Sequence, residues 1–233
     1  MANLYAFPGR TDMHDTEDVR HDDRGAEENL RRPAGVPDDL WSAVLSVRDM
    51  PRVPAMRYRE IPVPRSWADF GIGIEMDHRE DPLAGPFFTA DASEEGTMHR
   101  HSAVDRGSSG WIMILYSREP RESWESRWRV AAFAGVPLLN RERNGLTGEL
   151  YWDYLHEFIG PVREGSVKGT VSVVHDSVFG SGPVQEMYGC EMRVSWTPAG
   201  GGETSVNAGA YVAGWADFIE SMSGVEEDVS VER

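Results

Sequence analysis

Cysteine is almost absent from this chain of 233 residues, in which Cys190 is the only one. A single cysteine excludes an internal disulfide, which agrees with a reducing compartment. The chain also has no run of about 18 apolar residues, as a membrane-spanning helix would need. Its N-terminus lacks a basic segment followed by a long apolar one, so no secretory signal is predicted. We therefore expect a cytoplasmic protein.

Lysine is equally scarce, because Lys168 stands alone beside 22 arginines. Acidic residues outnumber basic ones by 39 to 23, and the formal net charge is -16. Non-specific binding of DNA or RNA depends on cationic side chains that neutralise phosphates, so this charge argues against it. It argues equally against an anionic membrane surface. It favours solubility and permits basic partners.

Apolar residues are present in the amount that one folded domain needs. Hydrophobic residues make up 40% of the chain, which includes 8 tryptophans, and this length can bury a full core. Polar composition predicts a disordered arm over residues 1–36, a flexible insertion over 77–109 and an acidic tail over 225–233. A single domain is therefore expected over residues 37–224.

Strand and helix patterns follow one another through this domain. Alternating or continuous apolar runs predict strands over 56–61, 70–76, 111–116, 124–133, 167–179 and 188–196. Apolar residues at helical spacing predict a helix capped by Asp38 and two more over 146–159 and 208–222. Short turns between strands imply antiparallel pairing. The sequence thus predicts an α+β domain with helices packed on an antiparallel sheet.

A repeated pattern divides the second half of the domain. Tyr151 precedes Glu157-Phe158-Ile159 by the same spacing with which Tyr211 precedes Asp217-Phe218-Ile219. Each triplet ends a helical pattern that follows two strand patterns. We predict two superposable β-β-α units over 111–159 and 167–219, preceded by an N-terminal helix and strand pair.

The best metal-like set is Asp77-His78 together with His99, His101 and Asp105. Histidine and carboxylate ligands suit zinc or another divalent ion. The spacing matches no established catalytic motif, and the predicted insertion contains the whole set. We expect solvated loop side chains here, with no metal and no cofactor.

Other candidate catalytic groups have ordinary structural explanations. His175-Asp176-Ser177 contains the residue types of a catalytic triad, but neighbours on a strand face opposite sides. Cys190 lies among apolar residues and is expected to be a buried, unreactive thiol. Glu157 and Asp217 are matched by the repeat, yet acids on helix surfaces are common. No catalytic residue is identified.

Charged residues recur on one side of two predicted strands. Arg127, Arg129, Glu191 and Arg193 all point away from the predicted core. A solvated face with cross-strand ion pairs is one explanation. The other is a partner-binding surface, because arginine is a favoured interface anchor. Under the second hypothesis, replacing Arg129 and Arg193 by alanine changes stability by less than about 1 kcal/mol.

Several segments occur in an order that resembles a known family. They are Met56 to Pro64, Trp111 to Tyr116, Trp124 to Val130, Lys168 to Val171, Ser177 to Gly180 and Arg193-Val-Ser-Trp-Thr-Pro198. Over residues 38–224 the chain resembles an uncharacterised actinobacterial family, domain of unknown function 3000. The resemblance implies no activity and no catalytic residues. Genes of the family often lie near a ribonuclease D-like exonuclease, which implies such an enzyme as a protein partner.

These observations favour a non-enzymatic protein-interaction or adaptor domain. The alternative is an enzyme or a small-ligand-binding protein that uses the charged sheet face or the histidine-containing loop. The gene neighbourhood implied by the resemblance would place either one in a nucleic-acid-processing context.

Overall fold

A computed structural model describes residues 31–78, 108–138, 147–178, 185–200 and 205–223. Residues 1–30 of the predicted arm, the acidic tail and residues 79–107 lie outside this part of the chain. His99, His101 and Asp105 lie outside it too. Among the described helices, none combines the length and apolar character that crossing a membrane requires.

Within the described ranges, six strands form one antiparallel sheet. They are β1 (Met56–Glu60), β2 (Phe70–His78), β3 (Ser109–Arg121), β4 (Ser126–Pro137), β5 (Lys168–Val178) and β6 (Gln185–Trp196). Their order across the sheet is β1-β2-β3-β4-β6-β5, and every neighbouring pair is antiparallel. The strands β1 and β5 are therefore the two edges of the sheet that the described residues form.

Three helices of the described part of the chain accompany the sheet: α1 (Asp38–Arg48), α2 (Thr147–Leu155) and α3 (Ala208–Ser223). Leu40 of α1 and Phe218 of α3 join Trp128 and Trp196 of the sheet in the main core, where all four are buried. α2 contacts β5 near the edge. The α+β class predicted from the sequence is confirmed.

The opposite side of the sheet, here called the helix-free face, has no described helix against it. A smaller apolar cluster lies there, built on Trp111, Met113, Leu115 and Phe133. The connection between β1 and β2, residues 61–69, contributes several side chains to this cluster. β3 is thus buried on both faces, as its continuous apolar sequence predicts.

Some predicted boundaries are wrong. Asp77 and His78 belong to β2 rather than to the insertion, because β2 pairs with β1 as far as His78. Val36 is only 2% exposed and packs in the main core, so it belongs to the domain and not to the predicted arm. Asp38 is the first residue of α1, and Pro37 occupies its N-cap position. The strand predicted over 111–116 is longer at both ends, because β3 runs from Ser109 to Arg121.

The order strand-strand-helix does occur twice, as β3-β4-α2 and β5-β6-α3. The predicted helix over 146–159 is too long, however, because α2 ends at Leu155. Backbone N–H groups of Glu157 and Phe158 donate three residues back, which tightens the chain into turns, and Gly160 follows with φ 68°. Phe218, by contrast, lies inside α3. Superposition of the two units stays a prediction.

Candidate functional site

The four charged residues of the predicted partner-binding face lie on two adjacent central strands. Arg127 and Arg129 are on β4, and Glu191 and Arg193 are on β6. Arg129, Glu191 and Arg193 alternate with residues of the main core, so they lie on the helix-free face. Their surroundings differ, and partner binding by the four residues stays a prediction.

Arg193 keeps its guanidinium partly accessible. Its Nη2 atom lies 2.6 Å from Glu191 Oε2, and its guanidinium carbon lies 5.3 Å from the ring centroid of Phe133. The Arg193 side chain is 40% exposed, and that of Glu191 is 10% exposed. An arginine held in this way loses less conformational freedom when a partner binds. The same geometry also suits a simple ion pair on a sheet face, so partner binding by this pair stays a prediction.

Arg129 is engaged inside the protein. Its guanidinium donates to the Ser166 carbonyl at 3.2 Å, to Thr197 Oγ1 at 3.2 Å and to Ser195 Oγ at 2.6 Å. Burial lowers the pKa of the guanidinium. These bonds join β4 to the end of β6 and to the turn before β5. Arg129 therefore has a structural role between β4, β6 and the turn before β5. Its replacement should lower the free energy of unfolding by more than the sequence suggested.

Arg127 reaches a different environment. It hydrogen-bonds the phenol of Tyr116, whose ring packs in the main core. Burial and the neighbouring Asp39 carboxylate of α1 raise the pKa of Tyr116, while Arg127 opposes them. Arg127 thus serves the junction of α1 with the sheet.

A polar cluster that sequence reasoning missed lies on the helix-free face, where β2 ends and β3 begins. Glu75 and Ser109 are each only 1% exposed. The Nε atom of Arg59 donates to Glu75 Oε2 at 2.6 Å. Yet Glu75 Oε1, Asp77 Oδ1 and the hydroxyls of Ser108 and Ser109 are buried and have no hydrogen-bond partner among the residues that the structure describes. The signal in the sequence was an acid placed within an otherwise apolar strand.

Burial raises the pKa of Glu75 and of Asp77, and Arg59 lowers both values in part. Arg57 lowers that of Asp77 as well. Unpartnered oxygens in a buried position are uncommon and suit a polar ligand or proton exchange. The cluster therefore deserves a place among the candidate sites, although its chemistry matches no catalytic motif.

The remaining candidate residues from the sequence lie in environments that do not indicate a catalytic site. Cys190 is fully buried, as predicted, and burial followed by the charge of Glu191 raises its pKa to about 12. The ring of His175 stacks on Tyr188 with centroids 4.2 Å apart. Burial raises the pKa of Asp217. Within the described ranges, no three His, Cys, Asp or Glu side chains are placed to hold a metal ion.

The two edges of the sheet form a second kind of candidate surface. β1 has five residues and lies between prolines 51 and 54 on one side and 62 and 64 on the other. β5 has 11 residues and contains no proline. Lys168, Thr170 and Val173 of β5 are exposed, Val173 to 50%. The β5 edge is therefore long and accessible, as a template for another strand must be.

An open cleft, here called the α2–β5 cleft, borders this edge on the helix side. Its volume is about 470 Å³, and its lining residues are Gly148, Glu149, Trp152, Asp153, Gly169 and Val171. A Cβ atom at Gly169 would lie 2.9 Å from Cζ3 of Trp152, so the glycine allows the indole to approach the strand. The carboxylates of Glu149 and Asp153 in this lining form no ion pair with any residue that the structure describes.

Comparison with known proteins gives one match. No curated protein and no solved structure is similar enough to match. The family described as Protein of unknown function (DUF3000) matches residues 36–230, beginning at the buried Val36 and covering every helix and strand described above. That extent is most of the sequence, so the chain belongs to the DUF3000 family.

Proposed function

We propose that this chain is a protein-interaction domain that binds an extended segment of its partner along the β5 edge. The observation that carries the proposal is the exposure of an 11-residue edge strand without proline. Every second residue of an antiparallel edge strand directs its N–H and C=O groups away from the sheet. A partner strand satisfies these groups through main-chain hydrogen bonds.

The opposite edge lacks these properties. β1 offers five residues, and the flanking prolines cannot donate hydrogen bonds to an added strand. Proteins commonly protect edges with short strands and prolines. Protection of β1 alone agrees with a sheet that receives its partner at β5.

A second candidate function rests on the polar cluster of the helix-free face. The buried oxygens of Glu75, Asp77 and Ser109, which lack a hydrogen-bond partner within the described part of the chain, favour a small polar ligand, bound by an enzyme or a ligand-binding protein. Arg193, held by Glu191, would extend that site toward a protein partner. Neither reading uses the exposed β5 edge, so experiments can separate them from strand addition.

A pair of proline variants tests the proposal. Of two neighbouring residues in β5, one directs its N–H toward β6 and the other directs it outward. Ser172→Pro and Val173→Pro therefore give one variant that damages the sheet and one that blocks only the outer edge. Thermal unfolding identifies the outward variant. Binding is then measured between this variant and two kinds of purified protein. The first are the proteins that the wild type captures in the native host, and the second is the ribonuclease D-like exonuclease.

Strand addition predicts that the outward proline variant keeps its fold and loses the partner. The variant Arg193→Ala, which changes the helix-free face, should bind like wild type. If the outward proline variant binds normally and Arg193→Ala or Glu75→Gln does not, the helix-free face is the functional surface and strand addition at β5 is wrong.

A further inference from the structure

We infer that the α2–β5 cleft receives a lysine or arginine side chain from the strand that binds to β5. The inference rests on the proposed function and deepens it, because it names the side chain that the partner presents. Main-chain hydrogen bonds along an edge carry little sequence information. A side-chain site next to the edge would supply the specificity.

The position of the cleft follows from the register of the sheet. Gly169 pairs with Val194 and Val171 with Met192, and both partners belong to the main core, so Gly169 and Val171 face the helix side. α2 lies over this end of β5 and brings Trp152 above Gly169. An added strand would run about 4.8 Å beyond β5, with alternate side chains pointing to the same side. Those side chains would point into the cleft.

The chemistry of the cleft suits a cation on a long apolar stem. Glu149 and Asp153 are four residues apart on α2, so their carboxylates lie on one side of the helix. Both are exposed, and neither is neutralised by a described basic residue. The indole of Trp152 between them can pack against methylene groups or against a guanidinium. A lysine or arginine satisfies all three residues at once, whereas an acidic side chain would be repelled.

The charge of the protein argues against a second copy of the chain as the occupant. Two copies would bring together surfaces of proteins with a net charge of -16 each. The strand β5 contains one lysine and no arginine, and this Lys168 pairs with Ser195 and faces the helix-free side, so a second copy paired through its own β5 would not place a cation in the cleft. A basic segment of a different protein is the complementary partner.

Matched peptides test the inference on the full-length protein. All share an alternating Thr–Val sequence as long as β5 and differ only at the central alternate positions, which hold arginine, lysine, citrulline or glutamate. Citrulline keeps the shape of arginine without its charge. We expect the arginine and lysine peptides to bind about fivefold to tenfold more tightly than the citrulline peptide at low salt. The preference should shrink as the salt concentration rises.

Variants of the cleft give the matched control. Glu149→Gln combined with Asp153→Asn should reduce the affinity for the arginine peptide to that for the citrulline peptide. Binding of the citrulline peptide should not change. The variant Glu164→Gln, which removes an exposed acid of the connection between α2 and β5, should leave the preference intact.

The outcomes separate the inference from the proposed function. If all four peptides bind equally and the outward proline variant abolishes their binding, β5 receives a strand but the cleft does not select a cation. If no peptide binds at about 1 mM, strand addition and the cleft both fail. A dimer in analytical ultracentrifugation that the outward proline variant dissociates would identify a second copy as the occupant and overturn the inference.

Discussion

β1 and β5 both terminate the sheet, but β1 has five residues between prolines and β5 has 11 residues without one. The side-chain contacts of the two edge strands differ as well. β1 is tied to a buried carboxylate of β2 through Arg59, whereas β5 exposes Lys168 and Thr170. At β1, short length and flanking prolines disfavour an added strand, and an ion pair with β2 holds the strand in place. The other edge is exposed along β5, with β6 as its one paired strand among the described residues, and this contrast supports the proposed function.

The largest expected effect is that of proline in β5, which tests whether alternate N–H groups of this strand point toward β6 and away from the sheet. One of Ser172→Pro and Val173→Pro should destabilise the protein by about 3 kcal/mol, because it removes a hydrogen bond to β6 and leaves a carbonyl unsatisfied. The other should cost less than about 1 kcal/mol. Chemical denaturation measures both. Equal losses would mean that the backbone of β5 is engaged on both sides.

A second prediction compares the charged residues of the two edges. Arg59→Met should cost about 1–3 kcal/mol, because it leaves the buried Glu75 carboxylate without its donor. Lys168→Met, at the exposed end of β5, should change the unfolding free energy by less than about 0.5 kcal/mol. Denaturant titrations at neutral pH compare the pair. A costly Lys168→Met would show that the β5 edge is held by its own charge.

The two arginines of the helix-free face should differ in the same way. Arg129→Met removes three hydrogen bonds and should destabilise by about 1–3 kcal/mol. Arg193→Met removes an ion pair with a 40% exposed guanidinium and should cost less than about 1 kcal/mol. Thermal unfolding ranks the two variants. The reverse order would assign the structural role to Arg193.

The buried carboxyl beside β1 predicts a pH dependence. The folded-state pKa of Glu75 is raised by burial, so its protonated form is favoured in the folded protein. Its contribution to stability is therefore complete below the unfolded-state value and is lost as the pH rises through the raised folded-state pKa. Glu75→Gln should flatten the fall in unfolding free energy over that window. Denaturation at a series of pH values would show parallel curves if Glu75 were not responsible.

The smallest expected change in stability is at Val173, which is 50% exposed on β5. Val173→Lys should alter the unfolding free energy by less than about 0.5 kcal/mol. It should nevertheless weaken partner binding, since a lysine on an edge strand disfavours the approach of another strand. Affinity and stability measured on the same preparation decide this. Unchanged affinity would place the contact elsewhere along β5.

Much of the fold was readable because it depends on short-range patterns. The double-sided burial of β3 follows from a continuous apolar run, and the other five strands follow from period-two alternation. The end of α2 was misjudged because Phe158 and Ile159 continue the helical spacing while the chain itself turns at Gly160. Apolar spacing alone does not distinguish a helix from turns that bury the same side chains.

The candidate sites were less predictable because they depend on which strands become neighbours. Arg129 and Arg193 look alike in the sequence, and only the positions of Ser166, Ser195 and Thr197 make the first one structural. The identity of β5 as an edge is a property of the strand order, in which β6 rather than β5 lies beside β4. Alternation along one strand contains no information about that order.

Hydrogen exchange measured strand by strand, with and without the arginine peptide, tests the central claim most directly. Strand addition predicts that bound peptide slows exchange at alternate amides of β5, while amides of β1 and of the helix-free connection over residues 61–69 are unchanged. Slower exchange at β1 or over 61–69, with β5 unaffected, would contradict the assignment of β5 as the binding edge.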